Sequence, residues 1–224
     1  MKVLLFGATG MIGQGVLREC LNDRGVREVV AVGRRPSGER HPKLKDVVTP
    51  DLTDLSKFAS EITGFDACFF SIGVSALGMS EAQYSKVNYD LPLSVARTVG
   101  SLNPGIAFIY VSGQGTDSTE RGRMMWARVK GKTENALLAL PFKTYMFRPG
   151  AVMPMHGIRS GTGWYNAVYA VATPLYPILK KVFPNSFTTT EQLGKAMIAV
   201  ARNGSTKRVL ETPDINSASA ATPR

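Results

Sequence analysis

Short unbroken apolar runs alternate along the chain with stretches whose apolar residues recur every three or four positions. Residues 2–6 form the first run, which ends at Gly7; residues 11–21 then place Ile12, Val16, Leu17 and Leu21 at helical spacing. Further runs at 27–33, 45–49, 66–71, 106–112 and 142–148 predict five more strands, the one at 45–49 the weakest. Helical patterns fill the gaps at 52–62, with Thr53 as a candidate cap, at 81–102 and at 123–139. Pro92 is expected to kink the second of these or to lie near its start. Strands that are apolar throughout have no polar face to offer water, so they predict a parallel sheet covered on both sides by helices. Strand–helix alternation from the first residues is the doubly wound α/β pattern. After Pro149 the regularity falls. Helices around 165–181 and 190–203 and a strand near 208–211 predict a small C-terminal cap, placed within about residues 150–215 of a single domain spanning 1–215. Residues 216–224 lack an apolar period and are expected to be a frayed tail.

Composition narrows the chemistry. The 224 residues hold 44% apolar and 20% charged side chains, which excludes wholesale disorder. Cys20 and Cys68 are the only cysteines, which excludes a disulfide framework and a zinc knuckle. His41 and His156 are the only histidines and lie far apart, a poor supply for a metal site or a Ser-His-Asp triad. The first apolar run is too short for a secretory signal, so a reducing cytoplasm is the expected compartment. Residues 160–179 carry no charge, long enough to span a bilayer by count, but Pro174, Pro177 and Asn166 argue against a span. The net charge is +10, and residues 121–224 hold fifteen basic against four acidic side chains. A basic surface attracts nucleotide phosphates, nucleic acid or acidic lipid alike, and its sign alone does not choose among them.

The most specific motif is Gly7-Ala8-Thr9-Gly10-Met11-Ile12-Gly13, directly after a predicted strand and opening a predicted helix. Gly7 allows a sharp turn, Gly10 clears the approach of a pyrophosphate to the backbone, and Gly13 allows close packing of helix on strand. The free N–H groups and positive dipole end of the helix then face the anion. The sheet type expected here is therefore the dinucleotide-binding Rossmann sheet. The second strand ends in Gly33-Arg34-Arg35 without an acid. An acid there would bind the ribose 2′-hydroxyl of NAD, whereas arginine accommodates the 2′-phosphate of NADP, so Arg34 and Arg35 favour NADP over NAD.

With these residues in place the chain resembles the extended and atypical short-chain dehydrogenase/reductases, the NAD-dependent epimerase/dehydratase-like group. Within it the likeness is to the small Tat-interacting-protein-type oxidoreductases, over residues 2 to about 215. The resemblance implies that Asp51-Leu52 contacts adenine, that Ser71-Ile72-Gly73 lines the adenosine ribose, and that Thr9, Gly10, Met11 and Ile12 meet the pyrophosphate. It implies that Asn88 and Ser112 belong to the active-site set and that Arg148-Pro149-Gly150 passes the nicotinamide. The family's Tyr-x-x-x-Lys pair aligns with Trp126-Ala127-Arg128-Val129-Lys130. Residues four apart share a helix face, so Lys130 sits beside whatever occupies 126 and can hold the nicotinamide ribose. An indole N–H only donates a hydrogen bond, so Trp126 cannot exchange a proton as a phenol does. Losing general acid/base catalysis costs roughly 10²–10⁴-fold in rate.

Three readings stay open. The leading one is an NADP-binding protein of this type with weak or altered redox chemistry, or one that senses the nucleotide. The second is a working NADP-dependent reductase or epimerase acting on a small carbonyl compound, its proton supplied by Tyr110, Tyr165, Tyr169 or another group. The third is a basic module that docks on a partner or an acidic membrane. Nucleic acid and peripheral membrane contact rank behind a small-molecule substrate as partners. Met153, Met155, Trp164 and Tyr165 imply an apolar, partly aromatic substrate pocket. Monomer and homodimer both remain open, because Arg121, Arg123, Arg128 and Lys132 crowd the surface through which the family often pairs.

Overall fold

The computed structural model describes residues 1–158 and 185–220. The six strands expected before Pro149 are all present: β1 (Lys2–Phe6), β2 (Glu28–Gly33), β3 (Leu44–Val48), β4 (Ala67–Phe70), β5 (Ala107–Val111) and β6 (Lys143–Arg148). A separate two-stranded pair, β7 (Ala151–Met153) and β8 (Phe187–Thr189), follows, and then β9 (Val209–Glu211) returns to the main sheet. The strand order is β3-β2-β1-β4-β5-β6-β9, every pairing parallel. Chain direction across the sheet reverses between β1 and β4, where open α/β sheets leave a crevice at their carboxyl ends.

Alternation along each strand divides the core in two. Val3, Leu5, Phe69, Ile109 and Phe147 face α1 (Met11–Asn22), whose Val16, Leu17 and Cys20 are buried. Leu4, Phe6, Phe70, Phe108 and Tyr110 face the other way, against Leu93, Val95, Ala96 and Val99. On this second face Phe6, Phe70 and Phe108 stack across β1, β4 and β5, with ring centroids 5.8 and 6.1 Å apart. The first face is also covered by α5 (Thr190–Asn203) and α6 (Thr212–Ala220).

The helix expected over 81–102 is three pieces: α2 (Glu81–Ser85), a π-turn (Lys86–Asp90) and α3 (Leu91–Leu102). Pro92 has no N–H to donate to the carbonyl four residues back, which is that of Asn88. That carbonyl instead accepts from Thr133 Oγ1 at 2.6 Å and from the Tyr110 hydroxyl at 3.4 Å. Thr133 lies on α4 (Met125–Leu138), so the wide turn is fixed by the next helix and by β5.

Two other expectations are corrected. The helix expected at 52–62 is a 3₁₀ turn, Ser56–Glu61, and Thr53 does not cap it: its N–H and hydroxyl both donate to Asp51 Oδ1. The tail expected at 216–224 is helical as far as Ala220, because Ile215 is buried in the core and Asn216 Nδ2 donates to the Phe187 carbonyl at 3.0 Å. The helix expected around 165–181 and the charge-free stretch at 160–179 lie outside the described residues. No helix among the described residues is long and apolar enough to cross a membrane.

Thr133 and the Asn88 carbonyl are both buried, so Thr133→Val should leave that carbonyl underbonded. We expect urea denaturation to show a loss of about 1–3 kcal/mol, the cost of an unsatisfied buried polar group. An unchanged midpoint would mean that the π-turn does not rely on this contact.

Candidate functional site

The carboxyl ends of β1, β2 and β4 open on a cavity of about 430 Å³. Its floor is the turn from β1 into α1, and three glycines there do different work. Gly7 has φ +94°, and a Cβ on it would meet the Ser71 backbone at 2.9 Å. A Cβ on Gly13 would stand 1.9 Å from the Gly7 carbonyl oxygen. The fold therefore requires glycine at both. At Gly10 the only atom within 4 Å of an added Cβ is the Gly7 carbonyl oxygen at 3.4 Å, an ordinary contact. Gly10 also caps α1 with no side-chain hydrogen bond, and no acid occupies the helix's first turn. The start of α1 thus presents N–H groups and a positive dipole end to the cavity, an arrangement suited to an anion. Thr9 lines the cavity beside Gly10, and Met11 and Ile12 form the first turn.

Arg34 and Arg35 follow β2 at one end of this cavity, both exposed. Ser37 and Asp46 lie with them, neither anticipated from sequence. Ser37 donates its N–H to Asp46 Oδ1 and its hydroxyl to Asp46 Oδ2, both at 3.0 Å, which pins the loop carrying the arginines. Asp46 lies on β3 opposite Ala31, so it reaches the cavity through sheet register, a signal that local spacing does not carry. Asp51, Leu52, Ser71, Ile72 and Gly73 line the wall. The Asp51 carboxylate is held below its ordinary range by the hydrogen bonds from Thr53. The Ser71 hydroxyl donates to the Phe6 carbonyl at 2.9 Å, tying β4 to β1 at the cavity's edge. Lys86 and Val87 also line it, and they too were missed in a helix read as continuous.

A second group gathers at the ends of β5 and β6 and along α4. Trp126, Lys130 and Glu134 follow one another at intervals of four residues on α4. Lys130 is half-buried and donates to the Ser112 carbonyl at 2.7 Å. Burial lowers its pKa to about 8, with the Glu134 charge opposing the shift. The Ser112 hydroxyl donates to Glu134 Oε1 at 2.5 Å, and the Phe147 carbonyl is a second acceptor within reach at 3.2 Å. Its proton therefore points into the protein, and it has only lone pairs left for an incoming group. Glu134 is fully buried and paired with Arg148, which also reaches Ser118 at 2.6 Å and Glu211. Glu134 was missed because a carboxylate one turn beyond a lysine reads as an ordinary surface pair.

Asn88, on the π-turn between the two groups, donates from Nδ2 to the Tyr84 carbonyl, while its buried Oδ1 has no partner. That oxygen lies 3.7 Å from where a Cβ on Gly73 would stand. Tyr110 is sealed in the core, and burial raises its pKa, so it stays protonated near pH 7 and releases its proton less readily than an ordinary phenol. Tyr84 is likewise raised, to about 12. Trp126 is half-buried, its ring edge 3.4 Å from where a Cβ on Gly115 would stand. Pro149 is buried and lies outside the cavity lining, and its carbonyl accepts from the Gln114 N–H at 2.9 Å. Trp164, Tyr165 and Tyr169 lie outside the described residues. No cluster of metal-ligating side chains occurs among the described residues.

A model of the NAD dependent epimerase/dehydratase family matches residues 3–119. "Protein FMP52, mitochondrial" of Kluyveromyces lactis is 29% identical over 169 residues, covering 72% of this chain and 70% of its own. The protein of that name in Candida albicans is 23% identical over 91% of this chain and 89% of its own. These names overturn the expected cytoplasmic compartment, since both relatives are called mitochondrial. The Bordetella bronchiseptica enzyme WbmF, solved in complex with NAD+, superposes with a TM-score of 0.64 at 18% identity, covering 96% of this chain and 76% of that one. That likeness shows the fold.

Two outcomes follow from this geometry. Gly10→Val should leave the thermal midpoint nearly unchanged and abolish binding of a dinucleotide in a fluorescence titration, because the protein has room for the side chain and the pyrophosphate does not. Wild-type affinity in the variant would make the turn purely structural. Lys130 should titrate near pH 8, read as the ¹³C shift of its dimethylated amine, well below the 10.5 of ordinary lysines. Because its folded pKa lies below its unfolded one, the buried cation costs stability below about pH 8. That cost should fade as pH rises from about 8 to 10.5, a rise that Lys130→Met should lack.

Proposed function

The chain belongs to the NAD dependent epimerase/dehydratase family, and from that premise we propose that it binds NADP in the β1–β2–β4 cavity and carries out weak or altered redox chemistry or senses the nucleotide. The contrast among the three glycines carries the nucleotide reading. Gly7 and Gly13 answer to packing, whereas Gly10 keeps clear a space beside an uncapped helix start that packing leaves free. In this reading the pyrophosphate lies at Gly10–Gly13 and the adenosine against Asp51, Leu52 and Ile72. Arg34 and Arg35 take the 2′-phosphate as charge-assisted hydrogen-bond donors. Asp46, the acid that would compete for a 2′-hydroxyl, already has both oxygens engaged by Ser37. The partnerless Asn88 Oδ1 awaits a donor from a bound molecule.

The cofactor, when bound, supplies or accepts a hydride. The chain's own part is binding and proton handling. Lys130 is placed to hold the ribose on the nicotinamide side. Trp126 closes the position that a phenol would take and offers one indole N–H. Ser112, its proton committed to Glu134, accepts rather than donates. Among the described residues, with Tyr110 and Tyr84 both raised by burial, Lys130 is the group at this end whose pKa lies nearest neutrality. These features favour altered chemistry over a full reductase drawing on either tyrosine. The substrate in this reading is a small carbonyl or hydroxyl compound.

Calorimetric titration should show NADPH binding about tenfold or more tightly than NADH, equivalent to about 1.4 kcal/mol. Arg34→Ala/Arg35→Ala should erase the difference and spare NADH affinity. Equal affinities in the native protein would overturn the NADP assignment, and no binding of either would overturn the nucleotide reading. Trp126→Tyr should raise NADPH oxidation with small aldehydes, ketones and quinones, because a phenol one turn from Lys130 regains a titratable O–H and shrinks rather than overfills its site. Robust native turnover that falls in the variant would place Trp126 in a working site of another kind.

A further inference from the structure

Resting on the nucleotide reading and going beyond it, we propose that Glu134 makes the Ser112 end of the site select a hydroxyl-bearing molecule over its carbonyl counterpart, so that the substrate class is an alcohol. The Arg148 guanidinium can only donate. Its Nε lies 3.0 Å from Glu134 Oε1 and 3.1 Å from Oε2, and its Nη2 also donates to Oε2. Both oxygens of this buried carboxylate are therefore held as acceptors. The Ser112 hydroxyl, 2.5 Å from Oε1, has to be the donor in that contact. Its other neighbour, the Phe147 carbonyl at 3.2 Å, is again an acceptor, and one already engaged by the Ser112 N–H at 2.9 Å.

A hydroxyl has one hydrogen to give. With that hydrogen committed to Glu134, the half-buried Ser112 meets a ligand with oxygen lone pairs alone. Asn88 repeats the pattern. Its Nδ2 donates to the Tyr84 carbonyl at 3.2 Å, which fixes the oxygen end of the amide, and the buried Oδ1 has no donor. Lys130 spends one hydrogen on the Ser112 carbonyl at 2.7 Å and, under the nucleotide reading, serves the nicotinamide ribose.

A ligand hydroxyl supplies the donor that Ser112 Oγ lacks. A ligand carbonyl sets two acceptors face to face and leaves the serine oxygen unpaired, a loss of about tenfold in affinity. Glu134 acts through Ser112 and is a positioning residue. Glutamine at this position reverses the effect. Arg148 still requires an oxygen, so the amide nitrogen turns to Ser112 and donates, and the serine hydrogen is released toward the ligand.

The test is a ligand-observed NMR titration of the full chain, saturated with NADP+, with tert-butanol and with acetone. Neither reacts, since one has no carbinol hydrogen and the other is already a ketone. The native protein should prefer tert-butanol by about 40-fold, about tenfold from the hydrogen bond and about fourfold from the additional methyl group. Ser112→Ala should leave about the fourfold owed to the methyl group. Glu134→Gln should raise acetone affinity about tenfold above native. A merely structural role for Glu134 would instead weaken both ligands alike. Thermal midpoints report folding, and if Glu134→Gln does not fold, Ser112→Ala decides the outcome. A native preference of about fourfold or less, or a larger one that survives Ser112→Ala, overturns the proposal. So does NADP+-loaded protein that binds neither ligand, with the nucleotide reading left standing. Failure to bind NADP+ in calorimetry overturns the nucleotide reading itself.

Discussion

A methyl group on Gly13 would stand 1.9 Å from the carbonyl oxygen of Gly7. Helix α1 can leave β1 so sharply only because position 13 has no side chain, and much of the site depends on that close approach. It holds the helix start at the carboxyl edge of the sheet. It leaves the turn's middle glycine facing open space, and it brings the Ser71 hydroxyl onto the last carbonyl of β1. With β2 on one side of β1 and β4 on the other, the helix dipole and the arginines after β2 converge on one cavity. The position of the helix start at the cavity is thus set by backbone packing rather than by side chains.

The other end of the site is organised by a buried charge. Glu134 collects Arg148 from β6 and the hydroxyl of Ser112 from the end of β5, and its charge partly offsets the burial of Lys130. Taking a carboxylate out of water is costly unless its hydrogen bonds are met, and here they are. The consequence is functional as well as structural. Ser112 is turned inward, Lys130 is left with a proton it can exchange near pH 8, and Trp126 fills the neighbouring turn.

The sheet was legible in the sequence because strands buried on both faces must be apolar throughout, as 67–70 and 107–111 are. The glycine turn was legible because Gly7 and Gly13 answer to steric limits of the fold. What was hidden depended on partners far along the chain. The π-turn at Lys86–Asp90 follows from Pro92 together with Thr133, some forty residues on. Asp46 enters the cavity through β2–β3 register, and Glu134 becomes buried only when β6 delivers Arg148. The helix ending at Ala220 is held by Ile215 against a core that its polar composition does not announce. The inward turn of Ser112 is of the same kind: its position at a strand end could be read, but the direction of its hydroxyl could not.

The central claim is that the start of α1 binds the phosphates of a nicotinamide dinucleotide. Backbone amide spectra of the ¹⁵N-labelled protein, recorded as NADPH is added, address it most directly. The account predicts that the amides of Met11, Ile12 and Gly13 shift and become protected from exchange, together with those of Ser71, Ile72 and Gly73 on the facing wall. Saturating nucleotide that leaves these six amides unmoved, or that perturbs only residues elsewhere on the surface, would contradict it.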